Sequence, residues 1–181
     1  MQLVLLDRDG VINEDLAESV RCPDEFRLIP GVDAAIAKLN RASYAVALVT
    51  NQAVVGRHHI TLAMLDRIHA KMLAALSRAG GRVDRIYVAT DTPEYATLRR
   101  KPGPGMLQEA IRDFCAIADR TVMIGDDLKD LRAALAAGCK PLLVQTGKGP
   151  LCLDEAKKSI EGLVVRQDLA AAVTFILEKS P

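Results

Sequence analysis

What most limits this chain is a repeating alternation of short, largely apolar runs with segments of helical period. The runs fall at residues 3–6, 46–49, 85–89, 121–124, 142–144 and 163–165. Continuous apolar runs of this length suit strands covered on both faces, because a strand with one wet face alternates apolar with polar. Between them, residues 32–39 follow Pro30-Gly31. Leu65, Ile68, Met72, Leu73 and Leu76 share one face of a helix opened by Thr61 and stopped by Gly80-Gly81. Residues 106–114 and 128–137 read as two more helices, the second ended by Gly138, and a last one spans 168–177. Residues 151–160 are polar and read as a loop or a short helix. The order predicts a three-layer α/β/α sandwich built on a mostly parallel, Rossmann-like sheet. The 181 residues amount to a single domain over 1–181, with no sizeable cap.

The same runs deliver chemistry. Asp7, Thr50 and Asp126 each follow an apolar run directly or one residue on. Open parallel sheets bind ligands at the carboxyl ends of their strands, so three separate strands aim these side chains at one edge.

Composition narrows the function. With 24 basic and 23 acidic side chains the net charge is +1, which gives no bulk attraction to nucleic acid or membrane. The chain has no Trp and only 3% aromatic residues, too few for a base-stacking platform. Cys22, Cys115, Cys139 and Cys152 are scattered and read as reduced thiols. The opening residues lack a signal core, and no apolar run approaches the roughly 20 residues of a membrane helix, so a cytoplasmic monomer is expected.

Four constellations carry functional residue types. In Asp7-Arg8-Asp9-Gly10, two carboxylates one residue apart can share a metal ion, and hard oxygen ligands select magnesium. Thr50-Asn51-Gln52 offers a hydroxyl and amides to phosphoryl oxygens. Arg100-Lys101 offers a fork and a point charge to anions, in a loop stiffened by Pro102 and Pro104. In Gly125-Asp126-Asp127-Leu128-Lys129-Asp130, Asp126 can complete the metal site, while Asp130 either orients neighbours or caps the next helix. Each has an ordinary structural explanation when taken alone: a strand-end turn, a helix cap, an exposed basic loop, or helix-dipole compensation.

Joined in one order, each at a strand end, they resemble the haloacid dehalogenase-like (HAD) hydrolase superfamily over nearly the whole chain. The segments 7–13 (DRDGVIN), 26–32 (FRLIPGV), 49–52 (VTNQ), 99–106 (RRKPGPGM), 124–134 (IGDDLKDLRAA) and 144–149 (VQTGKG) are similar to the heptose 1,7-bisphosphate 7-phosphatases, relatives of the histidinol-phosphate phosphatases. That resemblance implies magnesium-dependent hydrolysis of a sugar phosphate through an aspartyl-phosphate, in the supply of activated heptose for bacterial lipopolysaccharide. It implies Asp7 as nucleophile and metal ligand, and Asp9 as general acid and base that also offers its backbone carbonyl to the metal. Thr50 and Lys101 then stabilise the transferring phosphoryl group, and Asp126 is a further metal ligand. Asp15, Asn51, Gln52, Ala53 and Arg100 line the substrate, a small phosphorylated sugar. As a general acid, Asp9 is expected to carry a raised pKa.

Two positions depart from the family. Residues 89–98 contain neither Cys nor His where these phosphatases often hold a zinc loop, so no structural zinc is expected. Asp127 stands where Lys is common, and a carboxylate there joins the metal site or its surroundings. His58 and His59 read as an exposed turn and His69 as a surface or half-buried helix residue. Two alternatives share most of these features: a histidinol-phosphate phosphatase, and a non-catalytic phosphate-binding domain of the receiver kind, which has no need of Asp9.

Overall fold

The computed structural model describes residues 1–179. Its strands are β1 (Leu3–Leu6), β2 (Ala45–Asn51), β3 (Arg85–Ala89), β4 (Val122–Gly125), β5 (Lys140–Val144) and β6 (Val164–Arg166). The helices are α1 (Val32–Arg41), α2 (Ala53–Gly56), α3 (Leu62–Arg78), α4 (Gly105–Asp113), α5 (Leu128–Ala136), α6 (Gly149–Ser159) and α7 (Leu169–Lys179). All strand pairs are parallel, in the order β3-β2-β1-β4-β5-β6.

The inner strands β1, β2, β4 and β5 are largely buried on both faces, as their apolar runs require, while the edge strands β3 and β6 are partly exposed. Within β1, Val4 and Leu6 join one core with Ile36, Ile68 and Val173, while Leu3 and Leu5 join another with Met106, Leu107 and Ala134. This two-residue alternation places α1, α3 and α7 on one face and α4 and α5 on the other. Helix ends follow their caps: Thr61 Oγ1 accepts from Met64 N, and Asp168 Oδ1 accepts from Ala171 N. The 151–160 segment proves to be most of α6, which begins at Gly149-Pro150; proline suits a first turn, and Ala156 supplies the buried contact. No helix among the described residues is long and apolar enough to cross a membrane.

The strand order reverses between β1 and β4. From β1 the chain winds outward to β2 and β3, then returns to β4 on the other side and continues to β5 and β6. A crevice opens at such a point because the two neighbouring connections depart in opposite directions. Residues 7–31 and 90–104, connecting β1 to α1 and β3 to α4, are loops and short 3-10 turns beside that edge.

Candidate active site

Asp7 and Asp126 follow the last residues of β1 and β4, the two strands flanking the crevice. The Asp7 backbone N–H donates to Ile124 O (3.0 Å), which locks the two strand ends in register. The third acidic member, Asp130, lies on the first turn of α5. All three are buried, and one oxygen from each lies within 4.8 Å of the others.

Lys101 is the central cation. Its Nζ stands 2.9 Å from Asp7 Oδ1 and 2.7 Å from Asp130 Oδ1, and donates to Val49 O at 2.7 Å. Burial opposes its charge, but Asp130 and Asp7 outweigh burial and raise its pKa. Asn51 holds the lysine from behind: its Nδ2 donates to Lys101 O (2.9 Å) and its Oδ1 accepts from Lys101 N (3.0 Å). The side chain expected to line the substrate is therefore spent on the 101 backbone.

Among the described residues Asp126 forms no ion pair, and the Lys129 charge acts on it only from further off. Its Oδ2 accepts from Lys148 N at 2.8 Å, and burial together with Asp7 and Asp130 pushes its carboxyl up to about 8. Two glycines leave space around it. Gly10 (φ 81°) and Gly147 (φ 55°) both use left-handed backbone, and a β-carbon on either would fall on the Asp126 carboxylate. Thr146 Oγ1 donates to Gly10 O, joining the two glycine turns. A cluster of buried carboxylate oxygens that repel one another, in a cradle kept free of side chains, fits a hard divalent cation.

Asp127 is placed differently from expectation. Its carboxylate accepts from Lys129 N (3.2 Å) and pairs with Lys129 Nζ (2.9 Å), while Asp130 Oδ2 accepts from Asp127 N (3.1 Å). This reciprocal capping box uses Asp127 to start α5, outside the acidic trio. Asp130 fills both of the roles left open for it, as a cap and as the partner of Lys101.

Asp9 also differs from expectation. Arg8 Nη2 lies 3.0 Å from both of its oxygens, Asn13 Nδ2 donates to Oδ1 (2.9 Å) and Gln52 Nε2 to Oδ2 (2.9 Å). Burial raises the Asp9 pKa, but the Arg8 charge and these hydrogen bonds outweigh it, so the net shift is downward. The expected raised pKa is thus corrected for this state, because the sequence reading gave Arg8 no part. Gln52 also donates to Thr50 Oγ1 (2.9 Å), tying Asp9 to the end of β2. His69, expected near the surface, is only 6% exposed, with Nε2 3.4 Å from Arg8 Nη1.

The remaining expected residues lie at the rim. Asp15 pairs with Lys148 Nζ at 3.5 Å, and Ala53 opens α2. Arg100 Nη1 donates to Asp91 O (2.8 Å), and Asp91 Oδ2 accepts from Thr97 N (2.8 Å). Asp91 thus ties together the loop at 91–97. Arg8, Asn13 and Thr146 were not singled out in sequence, although Arg8 and Asn13 sit inside the first motif, and His69 was given no part in the site.

A family model described as polynucleotide kinase 3 phosphatase matches residues 4–132, and one described as HAD-hydrolase-like matches 98–172. The D-glycero-beta-D-manno-heptose-1,7-bisphosphate 7-phosphatase of Bordetella bronchiseptica is 41% identical, covering 99% of this chain and 100% of its own. The enzyme of that name from Pseudomonas aeruginosa is 38% identical over 97% of this chain and 98% of its own. The crystal structure of the B. bronchiseptica D,D-heptose 1,7-bisphosphate phosphatase, complexed with magnesium and phosphate, superposes with a TM-score of 0.96 at 41% identity, covering 99% and 100% of the two chains. The Burkholderia thailandensis D,D-heptose 1,7-bisphosphate phosphatase gives 0.78 at 36% identity, covering 99% and 100%.

Proposed function

The chain belongs to the HAD-like hydrolases, among the heptose 1,7-bisphosphate 7-phosphatases, and we propose that it removes the 7-phosphate of D-glycero-D-manno-heptose 1,7-bisphosphate. The observation that carries this is the meeting of Asp7, Asp126 and Asp130 at the β1/β4 crevice, with Lys101 paired to Asp7 and Asp130. Asp7 is the nucleophile: its carboxylate attacks phosphorus, the ester P–O bond breaks, and an aspartyl-phosphate forms. Asp7, Asp126 and the Asp9 carbonyl would hold Mg²⁺, which when bound screens the repulsion between carboxylate and phosphate.

Lys101 and Thr50 stabilise charge on the equatorial phosphoryl oxygens. Asp9 is ionised before substrate arrives. Phosphate charge entering beside it raises its proton affinity, so it takes up a proton and delivers it to the departing sugar oxygen. In the second half it takes a proton from the water that attacks the phosphoryl group, which frees Asp7. The sugar body projects past Asp15 and Ala53 toward Arg100, a cation suited to the retained phosphate.

A substrate panel tests the proposal: heptose 1,7-bisphosphate and histidinol phosphate, each with and without magnesium. Magnesium-dependent release from the heptose ester, with histidinol phosphate slow, is expected. The reverse preference would make the chain a histidinol-phosphate phosphatase. Equal, negligible release by wild type and Asp9→Asn would make it a binding domain.

A further inference from the structure

Arg8 is the largest fully enclosed side chain next to the proposed nucleophile, and no part of the reaction so far uses it. Its guanidinium carries a permanent charge and five donors in a rigid plane. Burying that group is costly unless each direction is answered. Here two directions are. Toward the crevice, Nη2 spans both Asp9 oxygens at 3.0 Å and Nε adds a contact to Oδ1 at 3.3 Å. Away from it, Nη1 meets His69 Nε2 at 3.4 Å.

His69 sits on the buried face of α3, 61 residues further along the chain. Burial first, and then the Arg8 charge, lower its pKa to about 4. The ring is therefore neutral at physiological pH and can accept from the guanidinium. The result is a line from α3 through His69 and Arg8 to Asp9, closed from other sides by Asn13 and Gln52.

We infer that Arg8, backed by His69, is a positioning residue that fixes the Asp9 carboxylate for proton transfer to the leaving oxygen. The inference rests on the acid–base role given to Asp9 above. Arg8 is fully enclosed, so it acts through Asp9 and not on substrate. A planar fork fixes both oxygens of a carboxylate, whereas an ammonium supplies charge without orientation.

The experiment compares Arg8→Lys, Arg8→Met and His69→Leu with wild type on two esters in magnesium. One is the sugar phosphate, whose alkoxide leaving group needs a proton. The other is 4-nitrophenyl phosphate, whose leaving group needs none. The readout is kcat/KM, which reports only steps up to aspartyl-phosphate formation, with KM followed separately. Both Arg8 variants are expected to lose about 100-fold on the sugar ester and less than about threefold on the aryl ester, with KM little changed. Equal losses on both esters would reduce Arg8 to a structural role, and full activity of Arg8→Lys on the sugar ester would show that charge alone suffices. Either result overturns the inference.

If the Arg8 variants do not fold, His69→Leu decides, because it keeps the fork and removes only its backing. A loss of about fivefold confined to the sugar ester is expected, and no loss or an equal loss on both overturns the inference. Asp9→Asn is the control. If it fails to separate the two esters, the role of Asp9 itself is wrong, and the Arg8 link is not the cause.

Discussion

Lys101 Nζ stands 2.9 Å from Asp7 Oδ1 with its side chain wholly enclosed, so the proposed nucleophile shares a buried ion pair before any substrate arrives. The pair includes Asp130, 2.7 Å away on the other side. Replacing Lys101 by Met leaves two buried carboxylates without their cation. Loss of one partner from such a pair destabilises by about 3–5 kcal/mol. Loss of one charge-stabilising donor lowers kcat by roughly 10²–10³. Denaturant unfolding of the metal-free chain and steady-state kinetics in magnesium check the two effects separately.

Asp126 shows the opposite sign for stability. Its carboxyl is pushed up to about 8 from an ordinary 3.8 by burial, Asp7 and Asp130. The folded metal-free chain therefore holds a proton that the unfolded chain has released. Stability falls as pH rises through that window, from about 4 to about 8. Asp126→Asn removes the effect while keeping an acceptor for Lys148 N. Metal-free Asp126→Asn is expected to melt about 3–6 °C above metal-free wild type at pH 8, and to be inactive. Adding magnesium should raise the melting temperature of wild type only. A variant that melts lower than wild type would contradict this.

His69 has a depressed pKa, about 4 against an ordinary 6.5, caused by burial and then by Arg8. The sign follows. Between those values the unfolded chain binds a proton that the folded chain refuses. The stability from the neutral ring is complete above about pH 6.5 and is lost as pH falls toward 4, by a total of about 2–3 kcal/mol. Thermal melts of wild type and His69→Leu from pH 7 to pH 4.5 should converge on acidification. Parallel curves would mean that His69 is charged or exposed.

Asn51→Ala tests the hold on Lys101. It deletes both hydrogen bonds to the 101 backbone while leaving the ammonium in place. A small displacement of a positioned cation costs catalysis more than binding. The expected loss is about 10–100-fold in kcat with KM within about threefold. A rise in KM at constant kcat would return Asn51 to the substrate-lining role read from sequence.

Much of this was legible in the chain. Short apolar runs suit buried strands, and their alternation with helical segments points to a parallel sheet. That alone puts Asp7, Thr50 and Asp126 at one edge. What escaped was partnership. Asp127 and Asp130 are neighbours of one type, and sequence does not tell that both cap α5 while Asp130 alone of the two also meets Lys101. Arg8 sits between two aspartates, but its direction depends on a histidine 61 residues away. The downward shift of Asp9 comes from the Arg8 charge together with Asn13 and Gln52, whose side-chain directions no local pattern reveals. The 151–160 segment looked polar because α6 buries one narrow stripe, and the starting proline was the signal for its helix.

The central claim is that Asp7 forms the covalent bond to phosphorus. Its most direct test is acid quenching of wild type and Asp9→Asn during magnesium-dependent turnover of heptose 1,7-bisphosphate, followed by peptide mass spectrometry. A phosphoryl adduct on Asp7, more abundant in Asp9→Asn and absent with magnesium removed, is predicted. An adduct on any other side chain, or undiminished turnover by Asp7→Asn, would contradict the account.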